Sequence, residues 1–163
     1  MITTETLGGL ELFEGLPEHA LRTIAAMSEE LSFAAGTVIF SPEQASQRIF
    51  LLLEGSVRLT VFASQLTEPM TVTMLTTPGQ AFSFSSIVGR GYHNSSAEAL
   101  SDIRAIAIPG QSLMEYLARE PVVGFVVMTR VANLINRRLG ALRKLLLETI
   151  IDLERPSSTT PEN

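Results

Sequence analysis

The feature that most constrains this chain is a series of short apolar stretches between residues 32 and 109, separated by turn residues. Six stretches have the length of a strand: TVIF (37–40), RIFLLL (48–53), SVRLTVFA (56–63), MTVTML (70–75), SSAEAL (95–100) and IRAIAI (103–108). The third alternates Val57 and Leu59 with Arg58 and Thr60, and Glu54-Gly55 before it is a hairpin signal. Short strands at this spacing predict an antiparallel sandwich or barrel.

Helical patterns flank this region on both sides. Residues 10–30 form a short helical segment with a helix start at Leu16-Pro17-Glu18, and residues 110–119 form a second helix. A long helix begins at Pro121 and runs to about Leu153. We therefore expect four parts: a flexible N-terminus, a β domain, a long C-terminal helix and a Ser/Thr/Pro-rich disordered tail, at 1–9, 10–120, 121–154 and 155–163.

The long helix carries an apolar stripe with alternating spacings of three and four residues, the pattern of a coiled-coil seam. The stripe comprises Phe125, Met128, Ala132, Ile135, Leu139, Leu142, Leu146, Thr149 and Leu153. A second apolar set lies beside it, so the helix needs two partners. The β domain is one, and we predict that the same helix of a second copy is the other, which makes the chain a homodimer through residues 121–154. The alternative is a helix buried within its own domain.

Composition and charge exclude several classes of function. Residues 1–120 carry 6 arginines and 13 acidic residues, which argues against broad nucleic-acid binding. The absence of cysteine excludes disulfides and thiolate metal sites and fits a cytoplasmic protein. No apolar run predicts a membrane span. The two histidines, His19 and His93, are too few for a His-rich metal centre, and no Gly-x-Ser-x-Gly or Gly-Lys-Ser/Thr motif occurs, so we expect neither a metal nor an enzyme.

The order of these motifs resembles the cyclic-nucleotide-binding domain superfamily, as in catabolite-activator-type regulators. The resemblance spans about residues 10–150 and rests on LELFEGLPEHAL (10–21), FAAGTVIFSPEQASQRIFLLLEGSVRLTVF (33–62), PGQAF (78–82) and EALSDIRAIAI (98–108). It implies a mainly β fold with flanking helices: an antiparallel β-roll or jelly-roll barrel with an N-terminal helix and a long C-terminal dimerisation helix.

The resemblance also implies a phosphate-binding cassette after PGQAF. In the family a short helix N-terminus and an Arg hold the cyclic phosphate, and a Glu of a Gly-Glu pair accepts the ribose hydroxyl. Here Ser83-Phe84 replaces Gly-Glu, and either His93 or Asn94 stands at the Arg position, depending on the count. Glu43 also replaces a glycine that is usual in the second turn. The candidate ligand-binding residues are Phe82, Ser83, Phe84, Ser85, Ser86, Arg90, His93, Asn94, Ser95 and, on the long helix, Leu142 and Arg143.

Three functions fit this pattern. In the first, the chain is a stand-alone regulatory sensor or adaptor that acts through a partner protein. It binds cyclic AMP or cyclic GMP weakly, binds another ligand or has lost binding. In the second, the chain is a ligand-free scaffold, and Phe84 fills its pocket. In the third, it is the sensor part of a transcription regulator without its DNA-binding domain. We expect no direct DNA binding, because residues 155–163 are too few for a helix-turn-helix.

Overall fold

The computed structural model describes residues 2–62, 64 and 67–154. The chain divides into two compact units between Val131 and Ala132. The first unit holds two short N-terminal helices, eight strands, a third helix and the start of the long helix. The helices are α1 (Thr4–Gly8), α2 (Glu18–Met27), α3 (Gly110–Arg119) and α4 (Pro121–Glu154). The strands are β1 (Glu29–Phe33), β2 (Val38–Phe40), β3 (Arg48–Glu54), β4 (Val57–Val61), β5 (Met70–Leu75), β6 (Ala81–Phe82), β7 (Ser96–Ala99) and β8 (Ile103–Pro109).

The strands form two four-stranded antiparallel sheets, in the orders β1-β8-β3-β6 and β2-β7-β4-β5. This confirms the predicted fold class, mainly β with flanking helices. The two sheets form a roll and do not close into a barrel. β1 and β6 end one sheet, and β2 and β5 end the other.

The core lies between the sheets and is built from residues on alternate positions of the strands. It contains Phe40, Phe50, Leu52, Val57, Leu59, Leu75, Phe82, Ala97, Ala99, Ile103 and Ala107. In β4, Val57 and Leu59 are buried while Arg58 and Thr60 are half-buried, as the alternation predicts. Burying these side chains stabilises the fold by about 1.5–3 kcal/mol for each large one.

A turn is present at Glu54-Gly55, but it is not the predicted hairpin, because β3 and β4 belong to different sheets and do not pair. The glycine of this turn is required. Gly55 has a φ of +87°, which an L side chain rarely adopts. A Cβ atom there would also collide with the carbonyl oxygen of Asp102 and lie 2.8 Å from Ile103 Cγ2. The turn therefore depends on glycine for both its backbone conformation and its packing.

The structure differs from the sequence prediction at the N-terminus. The flexible stretch expected over residues 1–9 is instead partly helical, because Thr3 caps α1 and Leu7 is fully buried. The helical segment expected over residues 10–30 ends at Met27, and β1 follows directly. The disordered tail predicted over residues 155–163 lies outside the described residues.

Candidate functional site

The cassette positions form one continuous turn between β6 and β7. β6 ends at Phe82, and Ser83 takes a left-handed conformation with a φ of +66°. A single 3-10 turn, Phe84–Ser86, follows. Gly89 and Gly91, with φ values of +93° and +74°, then turn the chain back toward β7.

The Ser83 hydroxyl forms its hydrogen bonds within the protein. Its hydroxyl donates to the carbonyl oxygen of Arg48 at 2.7 Å and lies 3.0 Å from the hydroxyl of Ser46. Both serines are buried. The Ser86 hydroxyl donates to the Ser83 carbonyl oxygen at 3.0 Å. Two of the cassette hydroxyls are therefore oriented by protein acceptors.

The second half of the cassette pairs with the loop between β2 and β3. The amide of Ser46 donates to Gly91 O at 2.7 Å, and the amide of His93 donates to Gln44 O at 3.0 Å. The amide of Glu43 donates to His93 O at 2.9 Å, and Glu43 has a φ of +67°, a conformation that favours the glycine usual in the family. These backbone hydrogen bonds join the two loops.

His93 stacks on the core. Its ring lies parallel to Phe40, with centroids 3.7 Å apart and an interplanar angle of 7°. Phe40 in turn lies 6.3 Å from Phe82, and Phe82 lies 5.1 Å from Phe50. Burial lowers the pKa of His93 below its ordinary value of 6.5, because the neutral imidazole is favoured away from water.

The structure brings only part of the predicted residue set together. Phe82 is wholly buried in the core, Ser83 is buried, and Phe84, Ser85, Ser86 and Ser95 are half-buried. Arg90 and Asn94 are exposed, and His93 is half-buried against Phe40. Leu142 and Arg143 belong to the second compact unit. Phe82 belongs to the core between the sheets, whereas Phe84, which the scaffold hypothesis places in the pocket, is only half-buried.

Comparison with known proteins decides the family. The family model for the cyclic nucleotide-binding domain matches residues 30–120. The chain belongs to the cyclic nucleotide-binding domain family. A solved protein of Geobacter metallireducens, named for cyclic-nucleotide binding, is 34% identical, with a TM-score of 0.74 over 85% of this chain and 99% of its own.

Two other relatives are longer than this cyclic nucleotide-binding domain. The CRP-like cAMP-activated global transcriptional regulator of Mycobacterium tuberculosis is 21% identical over 90% of this chain. The Thermus thermophilus catabolite activator protein has a TM-score of 0.67 and 26% identity over 86% of this chain. The chain spans 64% of the first protein and 62% of the second.

The described residues of this domain contain neither a membrane-spanning helix nor a cluster of metal-binding side chains. None of its helices there is long and apolar enough to cross a membrane. The same residues hold no group of three or more His, Cys, Asp or Glu side chains arranged for a metal ion.

Sequence reasoning did not find the residues that support the cassette. Ser46 and Arg48 hydrogen-bond to Ser83, and the Phe40 ring stacks on His93. The sequence offers one signal for Arg48, a cation at the start of the apolar strand β3. No pattern in the sequence links Ser46 to Ser83, because the two lie 37 positions apart.

Proposed function

We propose that the chain is a dimeric regulatory domain, a sensor or adaptor, whose degenerate cassette binds cyclic nucleotides weakly, in an altered way or not at all. It works in the cytoplasm and passes its signal to a partner protein rather than catalysing a reaction. The composition of the cassette carries this proposal.

The cassette lacks the glutamate and the positioned arginine with which the family binds a cyclic nucleotide. Ser83 and Phe84 stand where the family has Gly-Glu, and Ser83 Oγ already binds Arg48 O and Ser46 Oγ. The one arginine of the segment, Arg90, is exposed between two glycines. Charge-assisted contacts contribute about 1.5–3 kcal/mol each, so losing the Arg and Glu contacts lowers affinity by roughly 10²–10⁴-fold.

His93 is the one residue that would supply a charge in place of the family arginine. As an imidazolium it would pair with a phosphate oxygen. Burial against Phe40 lowers its pKa, so the charge forms at a more acidic pH than for free histidine. Nucleotide binding through His93 would therefore strengthen as pH falls.

The exposed side of α4 supports the dimer. Phe125, Ile135, Leu139 and Leu146 of the seam are large apolar side chains exposed to solvent. A stripe of this length that stays in water is unfavourable, and pairing with the same stripe of a second copy buries it.

The ligand-free scaffold is a second candidate, and the roll interior favours it. Phe40, Phe50 and Phe82 fill the space between the sheets with stacked rings. In this alternative the protein acts through α4 and its partner surface alone.

The sensor part of a transcription regulator is a third candidate. The name of the Mycobacterium tuberculosis relative supports it, since that protein is called a transcriptional regulator. In this case the domain would control a DNA-binding region and would not contact DNA itself.

Calorimetric titration with cyclic AMP and cyclic GMP, up to millimolar nucleotide at pH 6 and pH 7.5, tests the proposal. We expect dissociation constants in the millimolar range or no heat. If weak binding is seen, it should be tighter at pH 6 and lose that pH dependence in His93→Gln, whereas His19→Gln should leave it unchanged. Micromolar binding at both pH values would contradict a degenerate cassette.

A further inference from the structure

A cavity of about 260 Å³ opens between β2, β3 and the loop that joins them. Its lining residues are Ile39, Phe40, Gln44, Ala45, Gln47, Arg48, Phe50 and His93. Of the candidate cassette residues only His93 contributes to this wall. The cavity therefore borders the cassette at His93, and its lining does not include the Phe82–Ser86 turn.

One side of the cavity is aromatic. The rings of Phe40 and Phe50 lie 6.5 Å apart and within 22° of parallel. His93 covers the outer face of Phe40. Both phenylalanines are buried and belong to the core between the sheets. An aromatic wall of this kind favours a flat apolar ring as the ligand.

The polar side of the cavity carries one positive charge and no negative charge. Arg48 is the only charged side chain among the lining residues, and its side chain is 42% exposed. Its Nη1 pairs with Glu29 of β1. A guanidinium has five N–H donors in a planar fork, so this pair leaves donors for a second carboxylate.

We propose that this cavity binds a small aromatic carboxylate, with the ring against Phe40 and Phe50 and the carboxylate on Arg48. The volume sets the size, because pockets for drug-sized ligands are about 300–1,000 Å³ and this one suits a single ring. The proposal does not depend on whether the cassette binds a cyclic nucleotide.

Calorimetric titration of the full chain with sodium benzoate tests the site. Benzamide and acetate serve as matched probes, the first without the charge and the second without the ring. We expect saturable binding of one benzoate per chain and at least about tenfold weaker binding of benzamide, because a charge-assisted bond is lost. Equal binding of benzoate and benzamide, or no benzoate binding, would overturn the proposal.

Three variants test whether the Arg48 guanidinium binds the carboxylate of benzoate. Arg48→Gln should weaken benzoate binding about tenfold or more, and Glu29→Gln should strengthen it, since Glu29 competes for the guanidinium. Arg22→Gln is the control, because Arg22 is also an exposed arginine in a salt bridge, with Glu18 on α2. Thermal unfolding checks that each variant is folded. Weaker binding in Glu29→Gln, or an equal loss in Arg22→Gln, would refute the role of Arg48.

A competition experiment separates this site from the cassette. Benzoate titration is repeated with millimolar cyclic AMP present. Unchanged benzoate affinity supports a second site, whether or not cyclic AMP binds elsewhere. Displacement of benzoate by cyclic AMP would overturn the proposal of a separate site.

Discussion

At the scale of single residues, Ser83 combines an unfavourable backbone with favourable side-chain bonds. The left-handed conformation costs an L residue roughly 1–2 kcal/mol. The hydrogen bonds to Arg48 O and Ser46 Oγ offset this cost, because Ser83 and Ser46 are both buried. Ser83 thus keeps the turn that glycine would form without strain, and it joins the cassette to β3.

Replacing Ser83 tests this balance. We expect Ser83→Ala to lower the free energy of unfolding by about 1–3 kcal/mol, since the strain stays and the buried Ser46 hydroxyl loses a partner. Ser83→Gly should lose less, because glycine relieves the backbone. Urea denaturation measures the change, with Ser85→Ala as the control within about 0.5 kcal/mol. An unchanged midpoint in Ser83→Ala would show that these bonds contribute nothing.

At the scale of elements, the 3-10 turn of the cassette packs directly on the first residue of α3. Gly110 begins α3, and a Cβ atom there would collide with the carbonyl oxygen of Ser86 and lie 2.7 Å from its Cβ. The Gly110 amide also donates to Gln47 O at 2.8 Å. The position of the cassette turn is therefore set by α3 as well as by the sheet.

A pair of glycine substitutions isolates this contact. Gly110→Ala should lower the free energy of unfolding by about 1–3 kcal/mol, because the backbone of Ser86 must shift. Gly140→Ala lies within α4 with nothing within 4 Å of the added carbon, and it should be neutral or stabilise by up to about 1 kcal/mol. Chemical denaturation followed by circular dichroism compares the two. Equal effects would mean that packing on Ser86 is unimportant.

At the scale of the whole molecule, charge and apolar surface are distributed unevenly. Residues 1–120 carry 13 acidic and 6 basic residues, whereas residues 121–163 carry 4 acidic and 6 basic residues. The near-neutral charge of the second segment lets two α4 helices approach without strong repulsion. The exposed leucines and isoleucines along α4 then supply the attraction for the proposed dimer.

Two neighbouring leucines test the dimer. Leu146 and Leu147 are both 60% exposed, but only Leu146 belongs to the seam, since successive helix residues lie about 100° apart. We expect the wild-type chain to sediment with twice the mass of one chain. Leu146→Lys should weaken the dimer by roughly 10³-fold, because two leucine contacts of about 2 kcal/mol each are lost.

Leu147→Lys is the matched control and should keep the dimer mass in the same sedimentation run. A wild-type monomer at high concentration would contradict the seam. Equal dissociation in the two variants would mean that the contact is not organised by the predicted stripe.

Local patterns in the sequence were sufficient for most of the fold. The period of two identifies β4, Glu54-Gly55 identifies the turn that precedes it, and the long apolar period identifies α4. These signals are local, because each reflects the dihedral preferences and burial of adjacent residues. β1 escaped this reasoning, because its five residues EELSF suit a helix equally well and become a strand only by pairing with β8.

The contacts of the candidate site could be predicted from the sequence to a much smaller extent than the fold. The sequence by itself determined that the family's Gly-Glu and Arg are replaced near Ser83 and His93. Only the folded chain decided that Ser83 binds Ser46 and Arg48, and that His93 stacks on Phe40. The reason is physical: these contacts join residues 35 to 53 positions apart, and they form only once both sheets and the loop between β2 and β3 are in place.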